Sequence, residues 1–420
     1  MVHTMKQQLK ALAPAWLISL YHRSWAWMGA VRYSNPSREL LVLAVTGTKG
    51  KSSTTEMLNA IFEEAGKKTV LLNSIRIKIG GRSDPNTMRM SMPGRFFIQR
   101  FLSEAHREGC AVAILEMTSE GARQHRQRDI ELDGLIFTNL APEHIESHGS
   151  FEAYASAKFE IGKQLGRSRK RPRVIVANAD DDESARYLEL PVEVSLPFSL
   201  SANPPWFSDE RGGYFTLDGV KIPVHSPGEF SLKNALGAAT LARAFGIEVR
   251  TIARALDKLK HIPGRAELVE GGQDFAVVVD YAHTPDSLEA LYEAYGGRRK
   301  ICVMGATGGG RDTWKRPIMG VIADERCDAV ILTNEDPYDE NPEEIMRQLA
   351  RDMKRKPELI VDRRAAIARG IKLARAGDAV LITGKGTDPC ICGPNGSKTP
   401  WSDAAVAREE IARHLHASGI

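Results

Sequence analysis

The chain has 420 residues, 57 Lys+Arg against 53 Asp+Glu, a formal net charge of +4, 42% hydrophobic residues and 26% charged residues. At roughly 100–200 residues per domain this length predicts two or three domains, and the composition excludes a disordered chain, a collagen-like chain and a small disulfide scaffold. The mildly basic balance permits an anionic small-molecule substrate and gives no argument for a nucleic-acid partner.

In chain order, the stretch 12–33 comes first. It sets Trp16, Trp25 and Trp27 among Leu17, Leu20, His22, Arg23 and Arg32. It reads as a helix whose aromatic face meets either a membrane surface or the following domain. Packing through the tryptophans is the favoured reading, because aromatics at helical spacing usually enter a core. No apolar run approaches the roughly 20 residues needed to cross a bilayer, and no signal-peptide cleavage pattern follows an apolar core.

Residues 40–45 are the first strong strand, 47–51 a glycine loop and 52–65 a helix. Strands follow at 111–115, 135–138 and 174–177, small strands and turns over 191–224, and helices at 229–245 and 251–259. His261-Ile262-Pro263-Gly264 marks a boundary. Beyond it strands at 275–279, 300–304, 329–332 and 379–382 alternate with helices at 285–295, 316–325, 342–353 and 364–376. The fold expected is α/β. A short helical N-terminal extension (1–39) precedes a P-loop central domain with a parallel sheet (40–262) and a C-terminal Rossmann-like domain (263–420). Cys110, Cys302, Cys327, Cys390 and Cys392 are an odd, scattered set and read as reduced thiols of a cytoplasmic protein. Cys390 and Cys392 lack a second pair at zinc-site spacing, so no zinc is expected.

The sharpest motif is Thr46-Gly47-Thr48-Lys49-Gly50-Lys51-Ser52-Ser53, after a strand and opening a helix. Glycines let backbone N–H groups approach phosphate oxygens, and the helix N-terminus favours an anion. Lys51 suits the β- and γ-phosphates and the Ser52 hydroxyl suits Mg²⁺. The loop is shorter than the full G-x-x-x-x-G-K-[ST] form. Glu116 ends an apolar strand, where α/β sheets place ligand sites. His144 and His148 follow the strand ending at Thr138-Asn139. Taken alone, Lys158 reads as a solvated helix lysine and His148 as a turn residue beside Gly149.

Taken together these stretches resemble the Mur ligase family, and within it the MurE type that makes UDP-N-acetylmuramoyl-tripeptide. The resemblance rests on Thr46–Ser53, Glu116-Met117-Thr118-Ser119, Phe137-Thr138-Asn139-Leu140, His144 to Gly149, and Ala153-Tyr154-x-x-Ala157-Lys158. It continues through Phe230-Ser231-Leu232-Lys233-Asn234, Pro263-Gly264-Arg265, Val279-Asp280-Tyr281-Ala282-His283, Gly309-Gly310-Arg311-Asp312 and Gly384-Lys385-Gly386. It implies an ATP-dependent amide-bond ligase: a carboxylate is phosphorylated to an acyl phosphate, which the amine of an amino acid then attacks. It further implies ATP contacts at Gly47, Thr48, Gly50, Lys51, Ser52, Ser53, Asn234, Arg265, Asp280 and His283. Two Mg²⁺ sites are implied, one at Ser52 and Glu116 and one at His144 and Lys158, with Lys158 carrying a CO₂-derived carbamate. Lys51, Glu116, His144 and Lys158 would be the catalytic set. Ser119, Gln124 and Arg126 would face the peptide-bearing substrate, and Arg311, Asp336, Tyr338 and Asp388 the incoming amino acid.

The sequence also departs from that family. Only about 40 residues precede the loop, too few for the usual UDP-binding domain. A UDP-linked or lipid-linked carboxylate therefore both stay open as substrates, as do a folylpolyglutamate-synthase-like ligase and a MurT-like subunit. Tyr338 stands where diaminopimelate-adding members carry Arg, within the acidic run Asn334 to Glu340. That run favours a basic amino acid by charge pairing, or else Asp339–Glu344 merely caps a helix starting near Pro342. Lys49 replaces the usual Asn and Glu120 the usual His, neither of them a metal or phosphate ligand.

Overall fold

A computed structural model of the chain describes residues 14–143 and 145–418. His144, a candidate metal ligand, and the beginning of the 12–33 stretch lie outside the described residues. The chain forms two compact units. The first is built from the segment ending at Leu140, from Glu152–Ser199 and from Gly237–Thr251; the second from Ala141–Phe151, Leu200–Leu236 and the segment starting at Ile252.

The first unit holds an eight-stranded sheet. In chain order it contains helix α1 (Ala15–Arg32), β1 (Leu41–Thr46), α2 (Lys51–Glu64), β2 (Thr69–Leu72), β3 (Arg76–Ile79), β4 (Arg82–Pro85), α3 (Arg95–Arg107), β5 (Val112–Glu116), α4 (Ser119–Arg123), β6 (Gly134–Phe137), α5 (Phe151–Arg167), β7 (Val174–Asn178) and β8 (Val194–Phe198). The spatial order is β4-β3-β2-β5-β1-β6-β7-β8, parallel except for the β2-β3-β4 meander. β1, β5, β6 and β7 are near-continuous apolar runs because helices cover both faces of a parallel sheet. Register sets Val45 beside Glu116 on one side and beside Ile136 on the other. Thr46, Glu116 and Thr138 therefore share the carboxyl edge of the sheet, the edge that carries ligands in such folds.

The second unit holds the antiparallel meander β9 (Phe207–Asp209), β10 (Gly212–Leu217) and β11 (Val220–Val224), where small strands and turns were expected. α6 (Glu229–Ala244) and α7 (Val249–Lys258) follow in the chain, with their stretch Gly237–Thr251 belonging to the first unit. Next come β12 (Glu267–Leu268), β13 (Ala276–Asp280), α8 (Pro285–Ala294), β14 (Lys300–Met304), α9 (Lys315–Arg326), β15 (Ala329–Leu332), α10 (Pro342–Ala350), β16 (Glu358–Leu359), α11 (Arg363–Leu373), β17 (Ala379–Thr383), the small pair β18 (Cys390–Cys392) and β19 (Lys398–Pro400), and α12 (Asp403–Ser418). The sheet order β12-β13-β17-β14-β15-β16 is parallel apart from the β12 edge.

Two expectations are corrected. Cys302, on β14, is disulfide-bonded to Cys327, at the end of α9, rather than being a reduced thiol. The 25-residue separation hid the pairing, because the α9 crossover returns the chain to the start of β15 beside β14. Cys110, Cys390 and Cys392 are buried thiols. The second correction concerns α1. Its closest approach to α3 is made by small residues, and of the described tryptophan side chains only Trp25 meets α3. Ala26, Ala30 and His22 are buried and Gly29 lies against Phe96 and Gln99. Trp25 touches Phe96 only edge-on, and Trp27 is 60% exposed. Small side chains let the helix backbones approach, which forces the large ones outward. No helix among the described residues is long and apolar enough to cross a membrane.

Candidate active site

The loop after β1 is shaped by two glycines. Gly47 has φ +149°, and a Cβ there would lie 1.8 Å from Thr138 Oγ1. Gly50 has φ +80° and caps α2. The loop is stitched to the end of β6: Thr48 N donates to Asn139 O (2.8 Å), Lys49 N to Asn139 Oδ1 (2.8 Å), and Thr138 Oγ1 to Lys49 O (2.6 Å). Thr48 Oγ1 is hydrogen-bonded to the Tyr154 hydroxyl on α5 (2.9 Å). This frame presents the N-terminus of α2, an anion-binding feature.

Two cations converge inside it. Lys51 Nζ donates to Gly47 O (2.9 Å) and Thr48 O (2.8 Å), and Lys158 Nζ donates to the same Gly47 O (2.8 Å). Lys158 is only 2% exposed and lies 4.7 Å from the centre of the Tyr154 ring. It is thus a buried group of the loop, not the solvated lysine its helical position alone suggests.

Beside the loop, Ser52 Oγ donates to Glu116 Oε2 (2.8 Å). The same oxygen accepts from Ser74 N (3.1 Å), and Glu116 Oε1 accepts from Ser91 Oγ (2.7 Å). Glu116 is 3% exposed, and its hydrogen-bond partners among the described residues, Ser52, Ser74 and Ser91, are neutral. A buried carboxylate without a countercharge is costly, so this oxygen donor set fits a hard divalent cation. Mg²⁺ takes one or two protein oxygen ligands, which Ser52 and Glu116 could supply in part, and completes its shell with phosphate and water. Ser74 and Ser91 escaped the sequence reading, since lone serines in loops carry no pattern.

Of the candidates for the acceptor, Ser119 is buried at the start of α4. Arg126 Nη2 donates to Gln124 Oε1 (2.8 Å), and Gln124 Nε2 to Glu120 Oε1 (2.9 Å). Arg126 also reaches Met92 O, and Arg95 Nε donates to Gln124 O (2.8 Å). Burial, then the neighbouring Arg126, holds Arg95 below the usual arginine range. The two guanidiniums form a desolvated cationic patch suited to an anion.

In the second unit, Asp280 ends β13 and accepts from Ala266 N and Ala282 N (both 2.6 Å). Burial raises its carboxyl above the usual range, an effect opposed by Arg265. Arg265 stacks 4.6 Å from the Tyr281 ring. His283 Nδ1 is bonded to Tyr281 O (2.6 Å) and Nε2 to Glu143 Oε1 (2.9 Å), a carboxylate the sequence did not single out. Asn234 is buried on α6.

The acidic stretch after β15 is partly neutralised from within. Lys385, fully buried, donates to Asp336 Oδ1 (2.8 Å) and reaches Asp388 Oδ2 (3.5 Å). Glu340 pairs with the buried Arg316 (2.8 Å). Glu335 differs: Oε1 accepts from Thr307 Oγ1 (2.7 Å), while its buried Oε2 has no hydrogen-bond partner among the described residues. Tyr338 has φ +52° and lies under the Arg311 guanidinium, 5.3 Å from its ring centre. α10 is capped from within 339–344: Asn341 Oδ1 accepts from Glu343 N, and Glu343 and Glu344 lie in its first turn.

Comparison with known proteins places this geometry. Residues 45–242 match the Mur ligase middle domain and 264–386 the Mur ligase glutamate ligase domain. The UDP-N-acetylmuramoyl-L-alanyl-D-glutamate–2,6-diaminopimelate ligase of Syntrophomonas wolfei is 34% identical over 377 residues, covering 86% of this chain and 76% of its own. The UDP-N-acetylmuramyl-tripeptide synthetase of a Roseiflexus species is 34% identical over 416 residues, covering 92% and 81%. The structure of Mycobacterium tuberculosis folylpolyglutamate synthase with ADP superposes with a TM-score of 0.68 over 95% of this chain and 94% of that one. At 17% identity that likeness speaks for the fold.

Proposed function

The chain belongs to the Mur ligase family and is an ATP-dependent amide-bond ligase, and from that premise we propose that it adds an amino acid to a muramoyl-peptide-like carboxylate in peptidoglycan precursor synthesis, in the cytoplasm. The observation that carries the site assignment is Glu116, a buried carboxylate whose hydrogen-bond partners among the described residues are neutral, bonded to Ser52 at the mouth of the phosphate loop.

The chemical difficulty is bringing an anionic carboxylate to a triphosphate. In our reading Lys51 and the α2 N-terminus hold the β- and γ-phosphates, so that the acceptor oxygen attacks the γ-phosphorus as the bond to ADP breaks. Arg126 and Gln124 orient the acceptor, with Ser119 beside them. The amine of the amino acid then forms the amide bond, and phosphate leaves. Ser52 and Glu116 would hold one Mg²⁺, and His144 and Lys158 a second, the latter as a carbamate. Bound there, Mg²⁺ supplies charge neutralisation at the phosphates. Asn234, Arg265, Asp280 and His283 are assigned to the nucleoside and phosphates. Arg311 is assigned to the amino acid's α-carboxylate, with Tyr338, Asp336 and Asp388 around the side chain. Because Lys385 pairs with Asp336 and reaches Asp388, the preference for a basic side chain rests on Glu335.

The test is ADP release by purified protein with Mg²⁺, bicarbonate and UDP-N-acetylmuramoyl-L-alanyl-D-glutamate, against a panel of amino acids with the product weighed by mass spectrometry. Turnover with lysine or ornithine is expected. Turnover with diaminopimelate alone would overturn the basic-amino-acid assignment. Failure with every amino acid would move the acceptor to a lipid-linked or folate-like carboxylate. For Lys158→Ala, added short-chain carboxylic acids should restore part of the lost turnover. Bound ATP without rescue would count against the carbamate.

A further inference from the structure

Helix α1 is apolar on two opposite faces, and among the described residues only one of them is packed on the fold. The inner face, with His22, Ala26, Gly29 and Ala30, meets α3. The outer face presents Leu17, Leu20, Tyr21, Trp27, Met28 and Val31, at spacings of three and four residues that align them on one stripe. Leu20 is 54% exposed, Trp27 60% and Val31 52%. Single exposed apolar residues are ordinary, but six in one stripe are a binding surface.

Charge identifies what covers it. Residues 1–38 include Lys6, Lys10, Arg23, Arg32 and Arg38 and not one Asp or Glu. Arg23 and Arg32 are exposed on α1 itself. Arg23 also lies near Arg128, where Arg167 adds positive charge and Asp129 and Glu160 offset part of it. Such an assembly wants an anionic partner with an apolar interior. A second copy packed α1 to α1 would bring no acid to either arginine of the helix. Aromatics at the edge of an apolar stripe, flanked by cations, are the composition of a helix lying in a lipid headgroup layer.

We propose that the outer face of α1 docks this protein on the surface of an anionic lipid bilayer, lying in the headgroup region without crossing it. The six apolar side chains enter the acyl boundary and the arginines meet lipid phosphates. The proposal stands on α1 and is independent of which carboxylate the ligase extends.

The full chain, without nucleotide, is mixed with phosphatidylcholine vesicles containing or lacking about one-third phosphatidylglycerol, and the bound fraction is read by flotation. Binding to the anionic vesicles, weakened by salt, is expected. The Leu20→Glu, Trp27→Glu double variant alters only outward positions and should keep its circular dichroism while binding about tenfold less or worse. Arg23→Glu should reduce binding to anionic vesicles and lessen its dependence on salt. Three results would overturn the proposal: no binding of the native chain to anionic vesicles, equal binding of the double variant, or a native dimer in light scattering that the double variant dissociates. The last would assign the stripe to a second copy.

Discussion

Gly47 is the most constrained residue of the loop. Its φ of +149° and the 1.8 Å approach of Thr138 Oγ1 to a hypothetical Cβ leave no room for any side chain. Gly47→Ala should therefore displace the loop and weaken ATP by about a hundredfold, read by calorimetry. Lys51→Ala should lower turnover by about 10²–10³-fold in the ADP-release assay, because the γ-phosphate loses its nearest cation. An unchanged rate would remove Lys51 from the mechanism. The glycines, Lys51 and Ser52 were legible in the sequence because phosphate binding needs those types at that spacing. The burial of Lys158 was not, since one lysine on a helix shows nothing of what packs over it. Glu143, His283's partner, was equally hidden: the two are brought together only by the fold.

At the scale of elements, ion pairs join neighbouring segments. Glu193 receives Arg173 Nη2 (2.9 Å) and Arg173 N (2.8 Å) where β8 starts beside β7. The hydrogen bonds from Arg173 hold its carboxyl at about 2. A carboxyl depressed by folding stabilises above its unfolded value of about 4.3 and loses that contribution as pH falls toward 2. Glu193→Gln should lower the melting temperature at pH 7 and flatten its fall across that window, so that the two proteins converge as pH approaches 2. A sharper challenge is the buried pair at the starts of α11 and α12, where Arg363 Nη2 donates to Asp403 Oδ2 (2.6 Å). Asp403→Ala strands a buried guanidinium and should cost about 3–5 kcal/mol in denaturant unfolding. β1, β14 and β15 were legible to within a residue, as continuous apolar runs bounded by turns. β4, whose four residues Arg82–Pro85 are all exposed, has no such signature and depends on its pairing with β3. On α1 the aromatics were read inward, whereas the close approach of α3 selects Ala26, Gly29 and Ala30 instead.

At the scale of the molecule, each unit is assembled from separated stretches of chain. Leu241 and Phe245, on and just after α6, close over Gly134 of β6, where even a methyl group would come within 3.0 Å of their side chains. A fragment ending at Ser199 lacks this cover, leaving apolar surface of β1 and β6 in water. It should be insoluble or bind apolar dyes without a cooperative melting transition. A soluble, cooperatively folding fragment would show that the cover is dispensable.

The backbone oxygens that Lys51 holds have a consequence for energetics. Its ammonium already donates to Gly47 O and Thr48 O. Under the proposed mechanism those oxygens are placeholders for the arriving polyphosphate. Nucleotide binding would then be an exchange, in which bonds to the carbonyls are surrendered as bonds to phosphate form. The heat released should fall short of what a count of the final contacts suggests. Fixed internal acceptors also keep Lys51 ordered between turnovers, so little rotamer entropy is left to lose when the triphosphate arrives.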